Sequence, residues 1–280
     1  MLEKKICSNY DENATMQISI KESLPREMKL LERFLNIVSK HDESIIQKLL
    51  EKYRKDLLKM KITSEPSEFV SKLQLDYTQN KWLNVYPHYF SLIENAFLHF
   101  LQFNNYKSTM NDETQIESSM FDIIRGEFHP LYYLIYSLVD LTSRDFALQL
   151  AKEFTELTYE IYKDQIFKRE TLEEMAKFFY EDGCPNSHNL VSKVEDGKYY
   201  LKIKRCWWGD AYKDLPDLEL ASLLECYGDF CKMIYVNPNF TLTRTRTLVE
   251  GNPFCDFVHH DKRIVKEIIH PDDEFWKNFD

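Results

Sequence analysis

From Pro25 onward, apolar residues recur at steps of three and four: Met28, Leu31, Leu35 and Val38, then Ile45, Ile46, Leu49, Leu50, Tyr53 and Leu57. That period gathers each set on one side of an α-helix, so two amphipathic helices are expected. Ser64-Glu65-Pro66-Ser67-Glu68 interrupts the pattern and reads as a helix start, since a first-turn proline sacrifices no intrahelical hydrogen bond. The tract from Asn84 to Phe103, with Phe90, Ile93, Phe97, Phe100 and Leu101, is apolar on most sides and predicts a central, buried helix. After a polar connection over Lys107–Thr114, helices are expected at 115–125, 130–140 and 143–181, the last broken near Lys168. Glycine is almost absent and alternation rare, so residues 24–181 are expected to be all-helical, behind a polar, flexible arm at 1–23.

The pattern changes at Glu181-Asp182-Gly183-Cys184-Pro185-Asn186. From Lys198 to Trp208, Tyr199, Leu201 and Ile203 alternate with Tyr200, Lys202 and Lys204, the two-residue period of a strand. Leu220, Leu223, Leu224 and Tyr227 give helical spacing to Asp217–Met233, with Asp217 as its cap. Strands are expected at 240–249 and 254–260, joined by Glu250-Gly251-Asn252-Pro253. Residues 182–280 thus read as an antiparallel β–α–β–β unit, and the fold class as α+β: helices packed on a cysteine-rich sheet region.

The net charge of −10, from 36 basic and 46 acidic residues, excludes nonspecific nucleic-acid binding, which needs a basic face. A hydrophobic fraction of 44% excludes a disordered chain. No apolar run is long enough to span a bilayer and the first residues are polar, so a cytoplasmic protein away from membranes is expected. In that compartment the cysteines are thiols or ligands, not a disulfide frame. Five of the six lie between residues 184 and 255, which places the candidate chemistry in the C-terminal part.

There, Cys226 and Asp229 stand three residues apart and share a helix face, whereas Cys231 points away. A continuous strand over Leu242–Leu248 puts Arg244 and Arg246 on one face and the threonines, Thr247 included, on the other. Arg246 is the preferred partner for a substrate carboxylate. Cys255, Phe257 and His259 share a strand face, and a Cys/His pair either activates a thiolate or ligates zinc with Cys206 or Cys226. No cofactor is predicted, and zinc or another divalent metal stays open. There is no CxxC, HExxH, GxSxG or phosphate-binding glycine loop. For each cysteine the plain alternative is a small buried apolar residue.

Taken together, Cys206, Cys226-Tyr227-Gly228-Asp229, Asn237-Pro238, Thr245-Arg246-Thr247-Leu248 and Gly251-Asn252-Pro253-Phe254-Cys255-Asp256-Phe257 resemble the L-2-amino-thiazoline-4-carboxylic acid hydrolase family. Asn252 departs from the aspartate expected in the closing motif. The resemblance covers 60–80 C-terminal residues and implies hydrolysis of a cyclic amidine-like centre, taking the aminothiazoline carboxylate to N-carbamoyl-cysteine. On it, Cys226, Asp229 and Cys255 are the catalytic candidates, and Arg246, Thr247, Cys206 and His259 the substrate-binding ones. Asp229 would hold the amidinium or act as base, Cys226 or Cys255 would be nucleophile or ligand, and Arg246 would hold the carboxylate. The long helical segment suggests recruitment to a related small substrate in biosynthesis, with residues 84–140 lining a pocket. The partner expected is a small molecule, the oligomeric state is open, and the alternative function is a noncatalytic small-ligand or metal sensor.

Overall fold

The computed structural model describes residues 4–65, 80–86, 88–103, 115–179 and 186–280. In chain order the elements are β1 (Lys5–Ser8), β2 (Thr15–Ser19), α1 (Ile20–Asp42), α2 (Ile46–Lys59), α3 (Lys81–Val85), α4 (Tyr89–Phe100), β3 (Gln115–Ser119), α5 (Met120–Val139) and α6 (Arg144–Ile161). They continue with α7 (Leu172–Lys177), β4 (His188–Glu195), β5 (Lys198–Cys206), α8 (Trp207–Tyr212), α9 (Leu218–Glu225), α10 (Gly228–Val236), β6 (Phe240–Thr243), β7 (Cys255–Asp261) and α11 (Asp273–Asn278). The fold is α+β, with a helical N-terminal region and an antiparallel sheet in the C-terminal part. Contacts divide the chain into two compact units, Thr15–Phe154 and Met1–Ala14 with Thr155–Asp280. No helix among the described residues is long and apolar enough to cross a membrane.

In the helical unit the apolar stripes behave as their spacing demands. Met28, Leu31, Leu35 and Val38 of α1 are buried, as are Ile46, Leu49, Leu50, Tyr53 and Leu57 of α2. Helix α4 buries Ile93, Phe97 and Phe100, as expected of a nearly all-apolar segment. Of the tyrosines in the tract expected to line a pocket, Tyr89 and Tyr132 are core residues. The unit is not purely helical: Gln115–Ser119, expected to start a helix, pairs antiparallel with Thr15–Ser19. Ser119 then caps α5, its hydroxyl accepting from the Asp122 amide at 3.1 Å. Helix α5 runs through Pro130 as one element instead of two. The breaks expected around Pro66 and over Lys107–Thr114, and the boundary near Gly183, lie outside the described residues.

The other unit is built on a five-stranded antiparallel sheet in the order β1-β4-β5-β7-β6. Two of these strands carried no clear signal. Lys5–Ser8, in the stretch expected to be a loose arm, pairs with β4 from Lys5 opposite Ser192 to Ser8 opposite Asn189. Strand β4 reads His-Asn-Leu-Val-Ser-Lys-Val-Glu, and its apolar residues Leu190, Val191 and Val194 do not alternate strictly with polar ones, so it lacks the pattern that reveals a half-exposed strand. The C-terminal part is therefore ββ–ααα–ββ–α rather than β–α–β–β.

Register decides which side chains meet. Tyr199 lies opposite His259, Leu201 opposite Phe257 and Ile203 opposite Cys255 on β5 and β7, while Leu242 of β6 lies opposite His259. Directly opposed residues share a face, so Cys255, Phe257 and His259 join one layer. That layer packs with Leu172, Met175, Leu190, Met233 and Phe240 into the larger core. The other face packs Val191 and Val258 against Trp276 and Phe279 at the C-terminus.

Candidate functional site

The expected helix over Asp217–Met233 is two helices. Asp217 caps α9, its carboxylate accepting from the Leu220 amide at 3.0 Å, as its place before an apolar run predicts. The chain then breaks at Cys226-Tyr227 and restarts at Gly228, where a Cβ would collide with the Tyr159 ring. Cys226 ends one helix and Asp229 begins the next, so they do not share a helix face. Arg244 joins them instead, donating from Nη1 to Asp229 Oδ2 and from Nη2 to the Cys226 carbonyl, each at 3.0 Å.

Arg244 is brought there because β6 ends at Thr243. The expected strand through Leu248 would put Arg244 and Arg246 side by side. Instead the amides of Thr245 and Arg246 turn to donate to Asp256 Oδ1 at 2.9 and 3.0 Å. The two arginines consequently leave on opposite faces of the sheet. Arg244 lies between the rings of Phe230 and Phe257, 4.9 Å from each centroid, with its side chain only 5% exposed. Arg246 is held by Asp256, at 3.0 Å from Nε, and by Asp273. It is thus the internal counter-charge of a fully buried carboxylate. Thr247 is buried too; its hydroxyl accepts from the Glu250 amide at 3.0 Å and shapes the turn through Gly251, whose φ is +82°.

Around Asp229 the electrostatics are unusual. Lys232, one helical turn on, contacts Asp229 Oδ1 at 2.7 Å. Burial works against charge on Asp229, but Lys232 and Arg244 outweigh it and hold the carboxyl below its ordinary range. Glu225 shows the reverse: burial, reinforced by the neighbouring Asp229 charge, raises its pKa to about 8 despite a hydrogen bond with Tyr212. At neutral pH one carboxyl is ionised and the other protonated, a division of labour that acid–base sites use. Burial also raises the Tyr159 hydroxyl to about 12, in the fields of Lys232, Asp229 and Glu225.

His259 is 2% exposed, and neither of its ring nitrogens has a hydrogen-bond partner among the described residues. It stacks on Tyr199 and Phe257, with centroids 5.5 and 6.3 Å away. Burial lowers its pKa to about 3, opposed by the nearby Asp229 charge. His188 feels the same two influences and falls to about 4; its Nδ1 lies 2.6 Å from the Ser187 hydroxyl.

Three cysteines complete the site. Cys206 ends β5 and leads into α8, and it feels the charge of Cys255. Cys255 accepts from the Leu248 amide at 3.1 Å. Cys226 lies within the fields of Arg244, Cys255 and Asp229. Burial raises all three thiols, Cys255 to about 12, so they stay protonated at neutral pH. No group of three or more His, Cys, Asp and Glu side chains among the described residues is arranged to hold a metal ion.

The structure therefore gathers Cys206, Cys226, Asp229, Cys255 and His259 and leaves Arg246 and Thr247 outside the cluster. It adds Glu225, Lys232, Arg244, His188 and Tyr159. Lys232 had a detectable signal, its three-residue offset from Asp229 on a helix. Glu225 and His188 had none, because their importance comes from burial beside Asp229. The Asn237-Pro238 motif has a scaffold role: Asn237 Nδ2 donates to the Arg169 carbonyl at 2.8 Å and ties the segment after α6 to the end of α10.

No curated protein and no solved structure matches the chain. One family model does: residues 134–259, the C-terminal part that holds all of these side chains, match that of L-2-amino-thiazoline-4-carboxylic acid hydrolase, the family the motifs resembled.

Proposed function

We propose that this protein is a hydrolase that adds water to an amidine-type carbon of a small, amino-acid-derived substrate, and that 2-amino-thiazoline-4-carboxylate is the reference substrate. The arrangement that carries this reading is Glu225, raised to about 8 by burial, beside Asp229, held low by Lys232 and Arg244, and His259, whose ring nitrogens have no hydrogen-bond partner among the described residues. The family match over residues 134–259 supports the reaction class.

In this reading Asp229, Lys232 and Arg244 together carry one net positive charge, which attracts the substrate's carboxylate. Glu225 gives its proton to the ring nitrogen as water adds to C2, and His259 accepts the proton that water releases. Asp229 stabilises the imidazolium so formed, the role of the third member of a nucleophile–base–carboxylate set. The C2–S bond then breaks, with its electron pair leaving on sulfur. His259 returns its proton to that sulfur, a downhill transfer because burial makes the imidazolium a strong acid. The Glu225 carboxylate takes the hydroxyl proton as the carbonyl forms, and N-carbamoyl-cysteine results. Cys226, Cys255 and Cys206 form a wall of the site, since burial keeps them protonated and a thiol is a poor nucleophile.

The test is incubation of the purified protein with 2-amino-thiazoline-4-carboxylate, following N-carbamoyl-cysteine by mass spectrometry. Product from wild type and from Cys226→Ala, with loss of product in Glu225→Gln, is the expected result. No product from wild type, with or without added divalent metal, would refute the reaction. Loss of all turnover in a folded Cys226→Ala would restore covalent catalysis by the thiol.

A further inference from the structure

Lys232 of the charged cluster also borders a cavity of different character. About 210 Å³ of space is lined by Ile166, Phe167, Met175, Phe178, Phe179 and Val236, with Gln165, Arg169 and Lys232 as polar members. Lys232 links the two features, because it lines the cavity and contacts Asp229. Ligand cavities for drug-sized molecules run from about 300 to 1,000 Å³, so this one suits a metabolite-sized occupant.

Three observations describe that occupant. The walls are aromatic and aliphatic, whereas the reference substrate is compact and polar. Arg169 makes no ion pair with any described residue; Nη1 donates to the neighbouring Lys168 carbonyl at 2.9 Å, and the guanidinium lies 5.6 and 5.5 Å from the rings of Phe167 and Phe178. Phe167 is 74% exposed at the cavity's edge, where a bound apolar group would cover its ring.

The segment is also built to stay in place. Asn237 holds the Arg169 carbonyl, the Arg169 amide donates to the Val236 carbonyl at 3.3 Å, and Lys168 Nζ donates to the Tyr235 carbonyl at 2.5 Å. The cavity wall is thereby fixed to the helix that carries Asp229 and Lys232, which lets a ligand spanning both be held in one geometry.

We propose that this cavity is the recognition pocket for an apolar organic acid: a carboxylate bearing an aromatic or branched aliphatic group. In this larger substrate the carboxylate pairs with Arg169 instead of resting at the Lys232 and Arg244 charges that draw the compact reference substrate, the apolar group fills the space among Phe178, Phe179 and Val236, and the reacting centre faces Asp229 and Lys232. This deepens the hydrolase reading by making the natural substrate larger and more apolar than the thiazoline carboxylate.

Calorimetric titration of the full chain with acetate, isobutyrate, benzoate and phenylacetate tests the pocket without requiring turnover. Phenylacetate or benzoate is expected to bind at least tenfold more tightly than acetate. Arg169→Gln, at a half-buried position, and Phe167→Ala, at an exposed one, are each expected to weaken that binding severalfold to tenfold while circular dichroism stays unchanged. Equal affinity for all four acids, no binding of any, or binding indifferent to both substitutions would overturn the proposal. Turnover of the thiazoline carboxylate reports separately on the reaction, so a protein that hydrolyses it yet ignores the aryl acids fails only the pocket assignment.

Discussion

Two aspartates of the C-terminal unit, Asp256 on β7 and Asp229 at the start of α10, meet opposite fates. Asp256 is fully buried and accepts five hydrogen bonds: from the Thr245 amide and hydroxyl, from the Arg246 amide and Nε, and from His270 Nε2 at 3.1 Å. Burial would raise its pKa, but these donors, His270 and Thr245 foremost, hold it low. Asp229 is likewise held low, yet it sits beside Glu225, which burial raises to about 8, and near a histidine with no hydrogen-bond partner among the described residues. A buried polar group without a partner costs about 1–3 kcal/mol, and such a cost is kept where a ligand completes the bonding. The satisfied aspartate fixes the shape of the chain between β6 and β7; the frustrated neighbourhood is where the proposed chemistry is assigned.

Removing the satisfied aspartate should produce the largest stability effect. Asp256→Ala strands two backbone amides and the inner contacts of Arg246 and His270, so urea denaturation should show a loss of about 3–5 kcal/mol. A loss under about 1 kcal/mol would mean that the network is ornamental. Beside Asp229, Glu225→Gln should instead cost activity, about 10²–10⁴ in turnover. Wild-type kcat/KM should fall above about pH 8 as Glu225 ionises. A wild-type profile that stays flat through pH 9 would remove Glu225 from the reaction.

Stability against pH separates the same groups. His188, His259 and His260 are held by burial near 4, 3 and 4, below their ordinary 6.5. Below about pH 6.5 the unfolded chain therefore binds more protons than the folded one, and stability falls as pH drops toward 4. Glu225 acts in the other direction: its folded value of about 8 lies above the ordinary 4.5, so its contribution is lost as pH rises from about 4.5 through 8. Denaturation midpoints across pH 4–9 should show both slopes, and Glu225→Gln should flatten the alkaline one alone. The smallest expected effect is also the sharpest. His259→Phe should change stability by less than about 1 kcal/mol at pH 7, because replacing an unpartnered polar ring by an apolar one is nearly neutral, yet it should abolish turnover. Strong destabilisation would show that the imidazole has a structural partner after all.

The apolar stripes of α1, α2 and α4 were legible because a buried helix face imposes its period on the sequence, whatever else surrounds it. The same holds for β5, whose Tyr199, Leu201 and Ile203 alternate into the core, and for the cap at Asp217. Strands β1 and β4 were not legible: one is four residues at a sheet edge, the other is buried without alternation.

The sequence by itself determined the α+β class, the concentration of candidate chemistry in the C-terminal part, and the pairing of Cys255, Phe257 and His259 on one strand face. Those follow from local periodicity and from residue types. Only the tertiary structure decided which arginine reaches Asp229, because the Thr245 and Arg246 amides turn to the buried Asp256 and Arg246 leaves on the opposite face. It also sets the direction in which burial and neighbours move these groups: Glu225 and the cysteines up, Asp229 down. Protonation depends on burial and on neighbours distant in sequence, and no local pattern encodes either.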